Sequence, residues 1–287
     1  MECRLSSAAD FAKFNFTAQA YAVSIDINRK IFQRNGKQWL DNVLANLAGK
    51  AHEEKWVEEW FNKFDGSAAI ISAGPSFTKN RSYVEKLVMG KKTYVVDRAL
   101  FQYMEWGMKP DVVVTTDSSH LCRGFLACID EGTDVAISYY ANPHTVDFLK
   151  SKNCNLYFFG SENPFNPLTA VADLLLEKNC SMIMDGCTVA YSAIDIAVKS
   201  GHTDIHIIGC DLQYDSVIEL LASGNFQGET IELDNGKATI PTFKIAAVCM
   251  DTVPTVYPEV KFTDHSYGLI STMHRPVYQT EINFNGE

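Results

Sequence analysis

The sequence predicts a doubly wound α/β fold: a mostly parallel, Rossmann-like sheet with an N-terminal helical extension and an inserted hairpin. Three observations carry this. Short apolar, β-branched runs such as Asp111-Val112-Val113-Val114-Thr115-Thr116-Asp117 have no polar face, as strands covered on both sides require. These runs alternate with helical patterns, the signature of a parallel sheet with crossover helices. Turn residues such as Gly107-Met108-Lys109-Pro110 punctuate the alternation.

From Phe16 to about Phe64 the pattern reads as helical. Trp56, Trp60, Phe61 and Phe64 form an aromatic stripe among Glu53, Glu54, Glu58 and Glu59, expected to pack a helix on the main domain. Residues 1–65 are therefore read as the extension and 66–287 as the main Rossmann-like domain. Ser67–Ser72 is the first strand, followed after Ala73-Gly74-Pro75-Ser76 by a helix over Phe77–Met89. Lys92–Asp97 is a strand, Ala99–Trp106 a helix, and Asp111–Asp117 the third strand. Further strands are expected at Val135–Ser138, Leu156–Phe159, Ile205–Gly209 and Val260–Thr263, with helices at Pro143–Lys150, Leu168–Lys178 and Val189–Lys199. Between Gln213 and Ile240 the rhythm breaks. Gly224, Gly228, the Asn235-Gly236 turn and the alternating Ile231 and Leu233 predict a hairpin inserted after a core strand.

The chain has 287 residues and a formal net charge of -10, which disfavours generic nucleic-acid binding and docking onto anionic membranes. A phosphate ligand is not disfavoured, because helix N-termini bind anions without basic side chains. Eight cysteines show no CxxC pair and no zinc-ligand spacing, and several sit in apolar runs, as reduced core thiols do. With no signal-peptide pattern at the N-terminus and no apolar run of membrane-spanning length, the expected location is cytoplasmic.

In doubly wound sheets, ligands bind beyond the carboxyl ends of the strands where strand order reverses. The candidate site is therefore read from the residues that follow each strand. Ala73, Gly74, Pro75 and Ser76 combine close backbone approach, a first-turn proline and a hydroxyl, which suits a phosphate at a helix start. They make neither a GxGxxG fingerprint nor a P-loop. Asp185, Gly186, Cys187 and Thr188 open a small-residue helix, as caps or as a second anion-binding start. Asp97, Asp117 and Asp211 each follow a strand, where carboxylates bind ribose, hold a metal or accept protons. Among the scattered histidines, His265 and His120 lie in loops near strand ends and are proton-transfer candidates, while His206 within a strand reads as structural.

Taken in order, Ile70–Phe77, Trp106–Asp117, Asp185–Ala190 and Ile207-Ile208-Gly209-Cys210-Asp211-Leu212-Gln213-Tyr214 resemble the DUF115 family. That family includes the motility accessory factor (Maf) flagellin glycosyltransferases and the MptE-like 6-hydroxymethylpterin diphosphokinases. The same landmarks are similar to single-domain bacterial sialyltransferases that use CMP-sialic acid. The resemblance implies a nucleotide surrounded by Gly74, Pro75, Ser76, Asp97, Asp117, Asp185, Gly186 and Thr188, and the neighbouring Ala73, Cys187, Asp211 and Tyr214 complete the expected nucleotide site. It implies a cytoplasmic transferase moving a sugar from a CMP-nonulosonate type donor to an acceptor hydroxyl of a glycan or protein. The sialyltransferases place a catalytic His where this chain has Lys237-Ala238-Thr239-Ile240, so Asp117, or His265, is left as the base. The alternative is ATP-dependent diphosphate transfer to a pterin, requiring Mg²⁺. That branch carries an acidic cluster after the third strand, where this chain has one acid, Asp117, in Thr115-Thr116-Asp117-Ser118-Ser119. A third reading keeps the scaffold as a non-catalytic nucleotide- or partner-binding domain.

Overall fold

The computed structural model describes residues 35–48, 54–161, 167–176, 182–184, 188–222 and 230–276. A helix over residues 35–47 (α1) leads into a two-residue strand, Lys55–Trp56 (β1), and a 3-10 turn, Val57–Trp60. There follow β2 (Ser67–Ile71), α2 (Pro75–Thr78), α3 (Arg81–Val88), β3 (Lys92–Val96), α4 (Asp97–Glu105), β4 (Val112–Thr115) and α5 (Cys122–Phe125). The next elements are β5 (Asp134–Ser138), α6 (Pro143–Ser151), β6 (Asn155–Ser161), α7 (Pro167–Leu176), β7 (Met182–Ile183), α8 (Val189–Lys199) and β8 (Asp204–Ile208). The chain continues with α9 (Val217–Ala222), β9 (Ile231–Glu232), β10 (Ala238–Thr239), α10 (Pro241–Val256) and β11 (Lys261–Asp264).

The main sheet runs β1-β6-β5-β4-β3-β2-β8-β11, with β7 also pairing β6, and its pairs are parallel. From β2 the strands step outward in one direction as far as β6; β8 and β11 then lie on the other side of β2. The order reverses between β2 and β8, where Ile71 stands opposite Ile208. Ala68–Ile71 and Val112–Val114 are buried on both faces. Each fully buried Val or Ile contributes about 1.5–3 kcal/mol relative to exposure. Helix α8 packs over β2, β3, β4 and β8; α4 packs on β3 and β4, and α6 on β6. The α/β, mostly parallel architecture expected from the apolar runs is thus present.

Three local expectations change. The aromatic stripe does not form an α-helix: Lys55 and Trp56 pair in parallel with Tyr157 and Phe158 of β6, one 3-10 turn follows at Val57–Trp60, and Trp60 packs its ring on Tyr157. The aromatic spacing that reads as a helical face is satisfied instead by a bend over the sheet edge. The helix expected over Phe77–Met89 is two, because Asn80 leaves helical geometry and its Nδ2 donates to Ser76 O at 2.9 Å. Strand β7 carried no sequence signal. The inserted hairpin is present as antiparallel β9 and β10, turning at Gly236 with φ 76°, and holds a small separate core of Tyr214, Leu220, Ala238 and Ile240.

Candidate functional site

The carboxyl ends of β8, β2, β3 and β4 lie side by side, and two groups of polar residues form there. The first spans the reversal. The hydroxyl of Ser76 donates to Asp211 Oδ2 at 2.8 Å, and its backbone N–H reaches the same carboxylate at 3.2–3.3 Å. Gly209 N–H donates to Ser76 Oγ (3.0 Å), and Gly74 N–H to Gly209 O (2.7 Å). Both glycines are required by this close approach. A Cβ on Gly74 would collide with Asp211 Oδ2 and Gly209 O, and Gly209, at φ 79°, has the Ser72 carbonyl where its Cβ would be. Ser76 and Asp211 are both buried. Burial lifts the Asp211 carboxyl to about 7; the bonds from Ser76 oppose this and nearby Asp264 adds to it.

The donors expected to hold a phosphate at the start of α2 are therefore already engaged by the protein's own carboxylate. Ala73 and Pro75 are half-buried, with Pro75 in the first turn of α2. Lys79, just beyond, is held by Asp215 at 2.7 Å and Glu219 at 2.8 Å, tying α2 to the inserted segment.

The second group sits at the ends of β3 and β4. Asp97 opens α4, where the helix dipole favours an anion. Its Oδ2 accepts from Thr115 Oγ1 (2.7 Å) and its Oδ1 from Arg98 N–H (2.7 Å), with the Cys122 thiol 3.6 Å from Oδ2. Burial raises the Asp97 carboxyl; the Thr115 bond opposes this, and the charge of Asp117 raises it further. Asp117 is half-buried, and its Oδ1 accepts from Ser119 N–H at 2.8 Å. The two aspartates are thus electrostatic neighbours, one sealed and one partly open.

Other expected residues fall elsewhere. Thr188 is the N-cap of α8, with no hydrogen bond from its side chain to the helix start, while Asp185, Gly186 and Cys187 lie outside the described residues. Tyr214 belongs to the core of the inserted segment: its ring stacks on Phe243 and its backbone pairs with Ala238. His265 is 1% exposed, and its ring nitrogens engage Tyr83 OH (2.6 Å) and His206 (3.0 Å), which removes it as a base for a bound acceptor. Burial, with help from His206, Lys91 and His274, pushes its pKa down to about 3.

The sequence reading missed Thr115, which fixes Asp97, and the α1 residues Trp39, Asn42 and Asn46. The signal for the latter was present: i, i+3, i+7 spacing puts two asparagines on the face that also buries Val43 and Leu47. Among the described residues no group of three or more His, Cys, Asp or Glu could hold a metal ion, and no helix is long and apolar enough to cross a membrane.

A family model described as "6-hydroxymethylpterin diphosphokinase MptE-like" matches residues 41–217, which contain both polar groups. The chain belongs to the MptE-like family. Among solved structures, this MptE-like chain is similar to a Maf glycosyltransferase from Magnetospirillum magneticum AMB-1, with a TM-score of 0.59 at 11% identity. The match covers 87% of this chain and 41% of that one, so the MptE-like chain spans about two fifths of the glycosyltransferase and shares its fold. No curated protein matches the chain.

Proposed function

We propose that this MptE-like protein is a transferase that binds a nucleotide-linked donor across the carboxyl ends of β8, β2, β3 and β4. The observation that carries the reading is the pairing of sealed Asp97 with half-open Asp117 beside the point where strand order reverses. In the leading form the donor is a CMP-nonulosonate type sugar and the acceptor a hydroxyl. Asp117 accepts the acceptor's proton, the acceptor oxygen forms its bond to the anomeric carbon, and CMP leaves with the electrons of the broken C–O bond. The start of α2 is filled by Asp211, so the reading assigns the leaving phosphate to the start of α8 at Thr188. The thiols Cys122, Cys128, Cys154 and Cys210 fit a reducing, cytoplasmic setting.

Isothermal titration with CMP, CDP, ATP and GTP tests the reading. Cytidine-nucleotide binding that weakens in an Asp97→Asn variant is expected; a folded protein that binds none of the four overturns it.

The family match favours a second reading, diphosphate transfer from ATP to a hydroxymethylpterin. It calls for Mg²⁺, and the donor set fits in part. Both Asp97 oxygens are hydrogen-bonded, which leaves Asp117 as the carboxylate to hold the ion together with substrate phosphates. Mg²⁺-dependent release of AMP when the pterin is added would select this chemistry over sugar transfer.

A further inference from the structure

Helix α1 straddles the start of the family match at residue 41, with Trp39 ahead of it and Asn42 within it, and its polar face reaches the candidate site. Trp39 Nε1 donates to Ser118 Oγ at 2.7 Å. The Ser118 carbonyl receives Gln38 Nε2 (3.1 Å), Asn42 Nδ2 (3.3 Å) and, from the start of α6, Asn142 Nδ2 (3.4 Å). A carbonyl has two lone pairs, so these three bonds are individually weak; the short Trp39 bond and the one from Asn42 Nδ2 to Tyr140 O (3.0 Å) fix the geometry. One turn further along, Asn46 Nδ2 donates to Tyr139 O and Ala141 O at 2.8 and 2.9 Å. The Trp39 ring stacks on Tyr140, and Asn42 and Asn46 are each 5% exposed.

These bonds all go to the loops that follow β4 and β5, the edge of the sheet where Asp117 stands. Ser118 lies between Asp117 and Ser119, whose N–H the Asp117 carboxylate accepts. A helix serving only to cover apolar surface does not need two buried asparagines, each of which must be fully paired to avoid a desolvation penalty.

We propose that Trp39 and Asn42 are positioning residues for Asp117: they clamp Ser118 and so hold the Asp117 turn against the end of β4. The proposal rests on the reading of Asp117 as the group that handles the acceptor proton.

The test uses full-length Trp39→Phe, which keeps an aromatic ring and removes one donor, and Asn42→Ala. Hydrogen exchange over residues 115–121 is expected to quicken about tenfold in both variants, with β2 and β3 protected as in the parent. Turnover is expected to fall about tenfold in kcat with the donor KM within about twofold, because the donor does not depend on α1. Ser118→Ala should reproduce the Trp39→Phe loss, and the two together should add nothing further. Unchanged exchange at 115–121 overturns the clamp, and looser exchange with unchanged kcat overturns its role in positioning. If the parent turns over no substrate, the functional reading fails, and the exchange measurement still decides whether α1 holds the turn.

Discussion

Ser76 gives both its backbone N–H and its hydroxyl to the carboxylate of Asp211, joining the turn after β2 to the turn after β8. The serine in turn accepts Gly209 N–H, so three residues from two strands close one hydrogen-bonded unit over the reversal point. Ser76→Ala removes one donor to a buried carboxylate and leaves the Gly209 N–H unpaired. A loss of about 1–3 kcal/mol is expected, measured as a shift in urea midpoint at unchanged m-value. Gly74→Ala drives a methyl into Asp211 and Gly209 and should destabilise by a similar amount, about 1–3 kcal/mol. Wild-type midpoints for both variants would show that this unit is not structural.

Two buried groups pull the pH dependence of stability in opposite directions. The folded-state pKa of Asp211, raised to about 7, means that the native protein holds a proton that the unfolded chain releases near 4. Its contribution is therefore lost as pH rises through about 7. His265, lowered to about 3, does the reverse: the unfolded chain takes up a proton near 6.5, and stability is lost as pH falls below that value. Between about pH 5 and 6 the two slopes, each approaching 1.4 kcal/mol per pH unit, largely cancel. Asp211→Asn should make stability rise with pH in this window. His265→Gln should make it fall; in both variants the raised Asp97 and Asp264 pull toward a fall and the lowered His202 and His206 toward a rise. Chemical denaturation at pH 5.0, 6.0 and 7.0 reads both slopes; parallel curves for parent and variants would refute the assignment.

Removing the carboxylate of Asp117 tests the chemistry rather than the fold. Asp117→Asn keeps an oxygen to accept Ser119 N–H, so thermal stability should change little. If the protein transfers a sugar with Asp117 as base, turnover should fall by about 10²–10⁴ while donor affinity stays near the parent value. A variant as active as the parent would take Asp117 out of the reaction.

The thiols should separate by burial. Cys122 is fully buried against Thr115 and Asp97, and burial together with the Asp97 charge raises its pKa far above that of a free thiol. Cys128 and Cys154 are half-buried and less strongly shifted. Alkylation of the native protein at pH 8, read by peptide mass spectrometry, should label Cys128 and Cys154 well before Cys122. Early labelling of Cys122 would show that the floor beneath Asp97 opens.

The sheet was legible because β2–β5 are buried on both faces along nearly their whole length, so composition alone marks them without any need of periodicity. Lys55–Trp56 was not, since two residues of strand carry no pattern and the aromatic spacing mimics a helix. Within the candidate site, Gly74, Asp97, Asp117 and Asp211 could be nominated from the sequence because each lies within three residues of a strand's end. What Ser76 and Asp211 do there was not legible: a serine beside a helix start reads the same whether it meets a ligand's phosphate or a carboxylate from a turn more than a hundred residues away. The contribution of α1 was hidden for a related reason, as asparagine signals polarity but does not say which distant carbonyls it will meet.

Strand β1 also bears on how the protein behaves in solution. By pairing with Tyr157 and Phe158, it covers backbone that β6 would otherwise present at the rim of the sheet, and β7 covers Gly160 and Ser161 just beyond. A fragment begun at Ser67 would keep the strand ends that carry Ser76, Asp97, Asp117 and Asp211 and yet expose the β6 edge at Tyr157 and Phe158 to another chain. Such a fragment should self-associate more readily than the full chain, which makes β1 a guard of the sheet's rim.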